Sequence, residues 1–249
     1  MVSIKKAEDI KKMEEGGKIL ATILEKVKEK VEPGVRTNQL NQIAEKLIAE
    51  YGAKPSFKGY NNFPAALCTS LNEVVVHGAP SDYKLKRGDL LSLDLGIFYK
   101  GFHTDMAITL GVGNINKKKE RLLKTTKEAL NIALSQMKPG NTIGDIGNAV
   151  QKHSEAQGYN VVRNLCGHGI GKILHQQPEI LNYGRKGKGL VLKKNMTLCP
   201  EPMLTVGSYE LEKEKDGQGF KTKDNSLTAH FEHTVLITED GNKVLTKVS

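Results

Sequence analysis

An alternating segment, residues 89–110, constrains the fold more than any other part of the sequence. Apolar residues occupy every second position in each half of the segment, at Leu91, Leu93, Leu95 and Ile97 and then at Met106, Ile108 and Leu110. A period of two is typical of a strand with one buried face. Tyr99-Lys100-Gly101 lies between the halves and favours a tight turn. The sequence therefore predicts an antiparallel hairpin.

Asp94 and Asp105 lie on the other face of this hairpin. If the turn is centred on Tyr99-Lys100, the two residues are directly opposed, with Cβ atoms ~4.5–5.5 Å apart. If it is centred on Lys100-Gly101, they are diagonal neighbours on the same face. Either way two carboxylates converge, and divalent cations would offset their repulsion. The alternative is that both aspartates face bulk water.

Two helix pairs flank the strands. Apolar spacing predicts helices over residues 4–31, 37–52, 117–137 and 142–158, with Thr37 and Thr142 as N-caps. The interval from Pro33-Gly34 to Gly52 equals that from Pro139-Gly140 to Gly158, which indicates a duplicated unit. We therefore expect one domain over residues 1–249, with internal pseudo-symmetry and helices packed on strands.

Further strands are expected at residues 73–76, 196–199 and 234–238. Residues 184–194 and 212–226 are rich in Gly, Lys and Asp, and we expect both to be surface loops.

The chain is basic, with 37 Lys and Arg against 28 Asp and Glu and a net charge of +9. Much of the charge lies in residues 117–121 and 185–194. Such clusters are usually solvated surface, but they also favour a polyanion. The chain has no Trp and no recognisable nucleic-acid module. We expect no sequence-specific binding of nucleic acid, only docking.

Cysteine usage and hydropathy bear on the compartment. The three cysteines, Cys68, Cys166 and Cys199, form no paired framework, which suits a reducing cytosol. No run approaches the ~20 apolar residues of a membrane span, and the first residues lack the apolar core of a signal peptide. We therefore expect a cytoplasmic protein without a membrane segment.

Three isolated residues are candidate metal ligands. His168 lies between glycines in Gly167-His-Gly-Ile-Gly171, where backbone can approach closely. Glu201 is held between Pro200 and Pro202 in a restricted segment. Glu232 opens an apolar strand. Each alone is more often structural than functional.

Taken in order, Asp94, Asp105, His168, Glu201 and Glu232 resemble the five metal ligands of the methionine aminopeptidases. The resemblance spans almost the whole chain and includes residues 68–80, the aspartate hairpin, residues 167–171 with His175, residues 201–203 and residues 222–234. It implies an α/β (α+β) protein with the pita-bread fold, a pseudo-twofold symmetric antiparallel sheet covered by helices. The compact length is similar to the type I bacterial form, which has neither an N-terminal zinc-binding extension nor a helical insertion between His175 and Glu201.

Two positions depart from the family pattern. Pro200 stands where an aliphatic residue usually precedes the glutamate, and we expect it to stiffen this ligand. Gln218 stands where several bacterial members have a tryptophan beside the substrate pocket, which bears on specificity at the second substrate residue.

The resemblance implies a metalloaminopeptidase that removes N-terminal methionine from peptides and nascent proteins, preferentially before a small second residue. Asp94 would bind one of two divalent ions, His168 and Glu201 the other, and Asp105 and Glu232 would bridge them. The oxygen-rich ligand set favours Mn, Fe or Co, with Ni or Zn possible. The sequence does not determine the metal.

The remaining roles also follow from the resemblance. Glu201 would act as general base, His175 would stabilise the oxyanion, and His77 would contact the substrate amide. Tyr60, Phe63 and Cys68 would wall the methionine pocket. We expect a monomer that associates transiently with the ribosome through its basic clusters.

Two other readings are considered. A prolidase or aminopeptidase P would share the five ligands but usually carries an extra N-terminal domain, for which this chain has no room. A non-catalytic binding module of the same fold usually lacks some of the ligands, whereas all five are present here.

Overall fold

A computed structural model describes residues 2–248 of the chain. Within this range it has four α-helices and a short 3-10 turn at Tyr60–Asn62. The helices are α1 (Ala7–Lys28), α2 (Thr37–Glu50), α3 (Lys117–Gln136) and α4 (Ile143–Ala156). None of the helices in residues 2–248 combines the length and the apolar character that crossing a bilayer requires.

The strands of the described chain are mostly short. In chain order they are β1 (Lys54–Pro55), β2 (Leu67–Leu71), β3 (Val74–Val76), β4 (Leu90–Tyr99), β5 (Phe102–Gly111), β6 (Asn160–Val161), β7 (Cys166–Gly169), β8 (Gln176–Leu181), β9 (Thr197–Cys199), β10 (Met203–Thr205), β11 (Leu211–Lys213), β12 (Phe220–Thr222), β13 (Thr228–His230), β14 (Glu232–His233), β15 (Val235–Ile237) and β16 (Asn242–Val244).

These strands pair antiparallel in four sheets. The first has the order β1-β4-β5-β14, with β2 also paired to β4, and the second has the order β16-β15-β9-β7-β8. Two smaller sheets have the orders β13-β10-β6 and β11-β12-β3. Strand β14 belongs to the first of the large sheets and β15 to the second. Because these strands are consecutive in the chain, the two large sheets are adjacent at this point.

Each half of the chain has its own apolar core. In the first, α1 packs on β4 and β5 while α2 packs on β2, and buried residues include Leu20, Leu24 and Leu93. In the second, α3 and α4 pack together over a cluster that includes Ala129 and Leu198. This mixture of helices and antiparallel strands confirms the predicted fold class.

Corresponding glycines in the two halves have similar backbone conformations. Gly34 and Gly140 have φ of 95° and 91°, and Gly52 and Gly158 have φ of 68° and 80°. These are left-handed conformations that favour glycine at a turn and at a helix end. The agreement supports the predicted duplication.

The aspartate hairpin forms as predicted, and the structure decides its turn. Tyr99 pairs with Phe102, so Lys100-Gly101 is the two-residue turn, with φ of 47° and 89°. Asp94 therefore lies opposite Ala107, and Asp105 lies opposite Gly96. The aspartates are diagonal neighbours on one face.

Two local predictions were wrong. Thr37 is the first residue of α2, and its hydroxyl pairs with the backbone of Ser81, so it is not the N-cap. Residues 212–226 are not a plain loop, because β11 and β12 form a hairpin there, and β12 pairs with β3. In contrast, Thr142 caps α4, where its hydroxyl accepts from the backbone N–H of Asp145.

Candidate metal centre

The five predicted metal ligands converge from distant parts of the chain. Asp94, Asp105, His168 and Glu232 are buried on β4, β5, β7 and β14, whereas Glu201 is half-buried in the connection from β9 to β10. Carboxylate oxygens of Asp94, Asp105 and Glu232 lie within 4.8 Å of one another. The structure thus brings the predicted set together.

Two threonine hydroxyls fix β5 against residues 230–234. The Thr234 hydroxyl accepts from the Asp105 N–H and donates to the Asp105 carbonyl, both at 2.8 Å. The Thr109 hydroxyl makes the same pair of bonds with the backbone of His230, also at 2.8 Å. Because β14 pairs with β5 only at Glu232 and His233, these hydroxyls replace strand pairing on either side and hold Asp105 and Glu232 in register.

The glycines around His168 are required by close backbone packing. A Cβ at Gly167 would meet the Cys199 carbonyl oxygen at 2.3 Å, and one at Gly169 would meet the Gln177 carbonyl oxygen at 2.3 Å. Strand β7 therefore fits between β8 and β9 only with glycine at both positions, which places His168 on an interior strand of this sheet.

The His168 ring is oriented by a hydrogen bond to the backbone. Its Nδ1 lies 2.9 Å from the Gly169 carbonyl oxygen, which can only accept, so the proton is on Nδ1 and Nε2 carries the lone pair. Burial, with His175 nearby, lowers the pKa of His168 to about 3 and keeps the ring neutral. Its Nε2 faces Asp105, Glu201 and Glu232 oxygens at 4.0, 4.0 and 3.7 Å.

The carboxylates are difficult to ionise together. Burial and the charge of Glu201 raise the pKa of Asp105 to about 7. Burial, followed by the neighbouring acids, raises the pKa of Asp94 and of Glu232 well above the usual range. Burial alone raises the pKa of Glu201. The charge of Glu201 opposes ionisation of the other three acids, and the charge of Asp105 opposes ionisation of Asp94 and Glu232.

This arrangement fits a divalent cation. Asp94 Oδ1 and Glu232 Oε1 are buried without a hydrogen-bond partner. Within residues 2–248 the basic side chains in ion-pair range of Asp105, Glu201 and Glu232 are all histidines. Buried acids facing the lone pair of a neutral imidazole need a cation among them, and carboxylate oxygen with imidazole nitrogen suits Mn, Fe, Co or Zn.

His230, on β13, belongs to the same cluster and was missed by the sequence analysis. Its side chain is 1% exposed, and its Nε2 lies 3.2 Å from Glu201 Oε2 and 3.9 Å from Glu232 Oε2. Burial lowers the pKa of His230 to about 3. His230 precedes Glu232 by two residues, but β13 and β14 are too short for a period to be read from the sequence.

The two other predicted histidines flank the cluster. The His175 and His168 rings meet edge to face with centroids 4.4 Å apart, and His175 Nδ1 lies 3.0 Å from the Tyr60 hydroxyl. His77 has a left-handed φ of 59°, which is costly for a residue with a Cβ and is often found at functional sites. Burial, with His175 and His230 nearby, lowers the pKa of His77 to about 4.

A cavity of about 210 Å³ opens over the cluster. The predicted wall residues Tyr60, Phe63 and Cys68 all line it, as does Gln218. Phe57 and Asn61 also line it and were not predicted, because their segment has no regular spacing. A second depression of about 410 Å³ shares His77, His168, His175 and Glu201 with the first.

Comparison with known proteins agrees with this geometry. The sequence model of "Metallopeptidase family M24" matches residues 11–239. A Clostridium perfringens protein named "Methionine aminopeptidase" is 44% identical, with 100% of each chain covered. The crystal structure of methionine aminopeptidase from Rickettsia prowazekii has a TM-score of 0.97 at 40% identity, covering 99% of this chain and 100% of that one.

A longer and more distant protein shares the same fold. The prolidase from Pyrococcus furiosus has a TM-score of 0.81 at 27% identity, and the match covers 99% of this chain but 66% of the prolidase. The shared fold confirms the predicted pita-bread architecture.

The chain belongs to metallopeptidase family M24. It is therefore a metal-dependent hydrolase, as predicted, and the family implies use of divalent metal. Within the family, its full-length similarity is to bacterial methionine aminopeptidases.

The pKa of Asp105 predicts a pH-dependent stability of the metal-free protein. The folded pKa is raised from 3.8 to about 7, so the folded state binds more protons than the unfolded state in this interval. Relative to Asp105→Asn, the wild type should lose stability as pH rises from about 4 to 7, by about 4 kcal/mol at most. Urea unfolding in EDTA measures this difference, and excess Mn²⁺ should remove it. Parallel stability curves for the two proteins would contradict the assignment.

Proposed function

We propose that the chain removes N-terminal methionine from peptides and nascent proteins, preferentially when the second residue is small. One observation carries the proposal: a confined cavity with apolar walls ends on a buried cluster of four carboxylates and an imidazole. The names of the relatives that match over the full length support the substrate class.

We propose two divalent ions. Asp94 would hold one, His168 and Glu201 would hold the other, and Asp105 and Glu232 would bridge them. When bound, such ions acidify water and polarise a carbonyl group. The oxygen-rich ligand set favours Mn, Fe or Co, with Ni and Zn as further candidates.

The remaining groups have roles that their contacts support. Glu201, half-buried beside His168, is placed to accept a proton from water as general base. The Tyr60 hydroxyl can donate to His175 Nδ1, which leaves the proton on Nε2 for donation to an oxyanion. His77 lies at the boundary of the two depressions, where it would contact the substrate amide.

The shape of the site supports removal of a single residue. A cavity of about 210 Å³ is small against the ~300–1,000 Å³ of drug-sized ligand sites. Phe63 and Cys68 give it apolar, polarisable walls that suit a thioether. The rest of the peptide would leave through the second depression, because both share His77 and His175.

The activity is tested with peptides and metal-depleted protein. We expect cleavage of Met-Ala-Ser after Met, loss of activity in EDTA, recovery with added Mn²⁺ or Co²⁺, and no turnover by Asp105→Asn with its fold intact. An X-Pro peptide is the discriminating control, since the prolidase matched here shares the fold. Preferential cleavage of X-Pro, or near wild-type turnover by Asp105→Asn, would contradict the proposal.

The role of His175 predicts a separable defect. His175→Ala should lower kcat by roughly 10²–10³, as removal of an oxyanion donor does, with little change in metal affinity. Steady-state kinetics and calorimetry with Mn²⁺ measure the two quantities. Loss of metal binding would instead make His175 a ligand.

We also propose transient ribosome docking through the basic clusters. The cluster in residues 117–121 lies at the C-terminal end of α4, where Arg121 donates to the Gln157 carbonyl. The cluster in residues 185–194 lies at the N-terminal end, where the Gly144 N–H donates to the Lys188 carbonyl. They are separated by about 21 Å along the helix and must be tested separately.

Cosedimentation with ribosomes tests this docking. Binding should be present at about 50 mM salt and largely lost by about 200 mM. Exchange of the exposed Lys117 and Lys118 for Glu should weaken it, whereas the same exchange at Lys11 and Lys18 on α1 is the matched control. Salt-independent binding, or equal effects of the two double variants, would contradict the proposal.

We further propose one cytoplasmic, monomeric domain. Both halves supply side chains to one cluster, which supports folding as a single unit, and the three cysteines are free. Sedimentation velocity tests the monomer.

A further inference from the structure

His230 contacts the cluster from the side opposite His168. Glu201 Oε1 lies 4.0 Å from His168 Nε2, and Glu201 Oε2 lies 3.2 Å from His230 Nε2. Glu232 is arranged in the same way, with Oε1 at 3.7 Å from His168 and Oε2 at 3.9 Å from His230. Each carboxylate therefore has one oxygen toward each imidazole.

The position of His230 is fixed by its strand. Its N–H and carbonyl are both bonded to the Thr109 hydroxyl, and it pairs with Met203 on β10. Glu201 precedes Met203 by two residues. A shift of the His230 backbone would therefore require a shift of β13.

The ring nitrogens of His230 have no other partner within residues 2–248. Neither ring nitrogen makes an aligned hydrogen bond with the described residues. A neutral imidazole carries one N–H, and the acceptors in reach of Nε2 are the carboxylate oxygens of Glu201 and Glu232. Burying an imidazole here without such a bond would be costly, so we expect Nε2 to donate to one of these carboxylates.

We propose that His230 is a positioning residue of the metal centre. Its Nε2–H donates to Glu201 Oε2 when that carboxylate is ionised, and it stands close to the matching oxygen of Glu232. The other oxygen of each carboxylate is thereby directed toward His168 and the cations. Such partners outside the ligand set typically change metal affinity 10–100-fold. The inference rests on the metal centre of the proposed function.

Two substitutions distinguish a His230 that donates a hydrogen bond from one that binds the metal or only fills space. His230→Gln keeps an N–H donor of similar reach, whereas His230→Leu keeps bulk and removes the donor. Calorimetric titration of EDTA-stripped protein with Mn²⁺ should show His230→Gln within about threefold of the wild-type affinity and His230→Leu weaker by 10–100-fold. His153→Leu on α4, beside Glu128, is the matched control and should bind as the wild type does.

Unfolding in urea and EDTA provides the second readout. His230→Leu removes buried, unpartnered nitrogens, so it should be as stable as the wild type, or more stable, without metal. A merely structural His230 would give the reverse: lower stability in EDTA with unchanged Mn²⁺ affinity. Equal weakening by Gln and Leu would make His230 a ligand and overturn the donor role.

The failures are distinguishable. If the wild type binds no Mn²⁺, the metal centre of the proposed function is wrong. If the wild type binds Mn²⁺ and His230→Leu binds it equally well, only the role of His230 is wrong.

Discussion

Mutual repulsion among buried carboxylates is the constraint on which the rest of this structure depends. Asp94, Asp105 and Glu232 bring oxygens within 4.8 Å of one another. Folding removes their hydration and, among the described residues 2–248, offers them no basic partner other than neutral histidine. The fold must hold these groups in place against that cost. It does so with backbone pairing and threonine hydroxyls, which carry no charge and leave the carboxylates free for a cation.

The strands and their connections form a rigid frame because both halves of the chain contribute side chains to the same cluster. Strands β4 and β5 come from the first half, β7 and the Glu201 segment from the second, and β14 pairs with β5. Thr109 and Thr234 then bond the backbone at His230 and Asp105. A pseudo-symmetric fold thus places the predicted metal ligands where the two halves meet, and neither half could assemble them alone.

Strong periodicity in the sequence predicted the four helices and the β4–β5 hairpin, which are the long elements of this frame. The hairpin alternation fixed the face of Asp94 and Asp105, but it left the turn open, since both turn centres keep the aspartates on one face; the left-handed Lys100 and Gly101 decide it. Strands of two or three residues, such as β13 and β14, are too short to show a period. His230 was missed for that reason, because its importance depends on the Oε2 atoms of Glu201 and Glu232, which only the folded chain brings near.

The division between frame and loops explains the two departures from the family pattern. Four of the proposed metal ligands lie on strands, and the fifth, Glu201, lies between two prolines. We therefore expect Pro200 to restrict the backbone at a ligand and not to change the cavity walls. Except for Cys68 on β2, the predicted wall residues and Gln218 lie outside the strands: Asn61 and Asn62, next to Tyr60 and Phe63, have left-handed φ of 48° and 61°, and Gln218 lies between β11 and β12. Gln218 Nε2 reaches the Asn62 carbonyl oxygen at 3.4 Å and so links the two segments across the cavity rim. We therefore expect a change of side chain at Gln218 to alter the shape of the entrance without moving a carboxylate of the cluster.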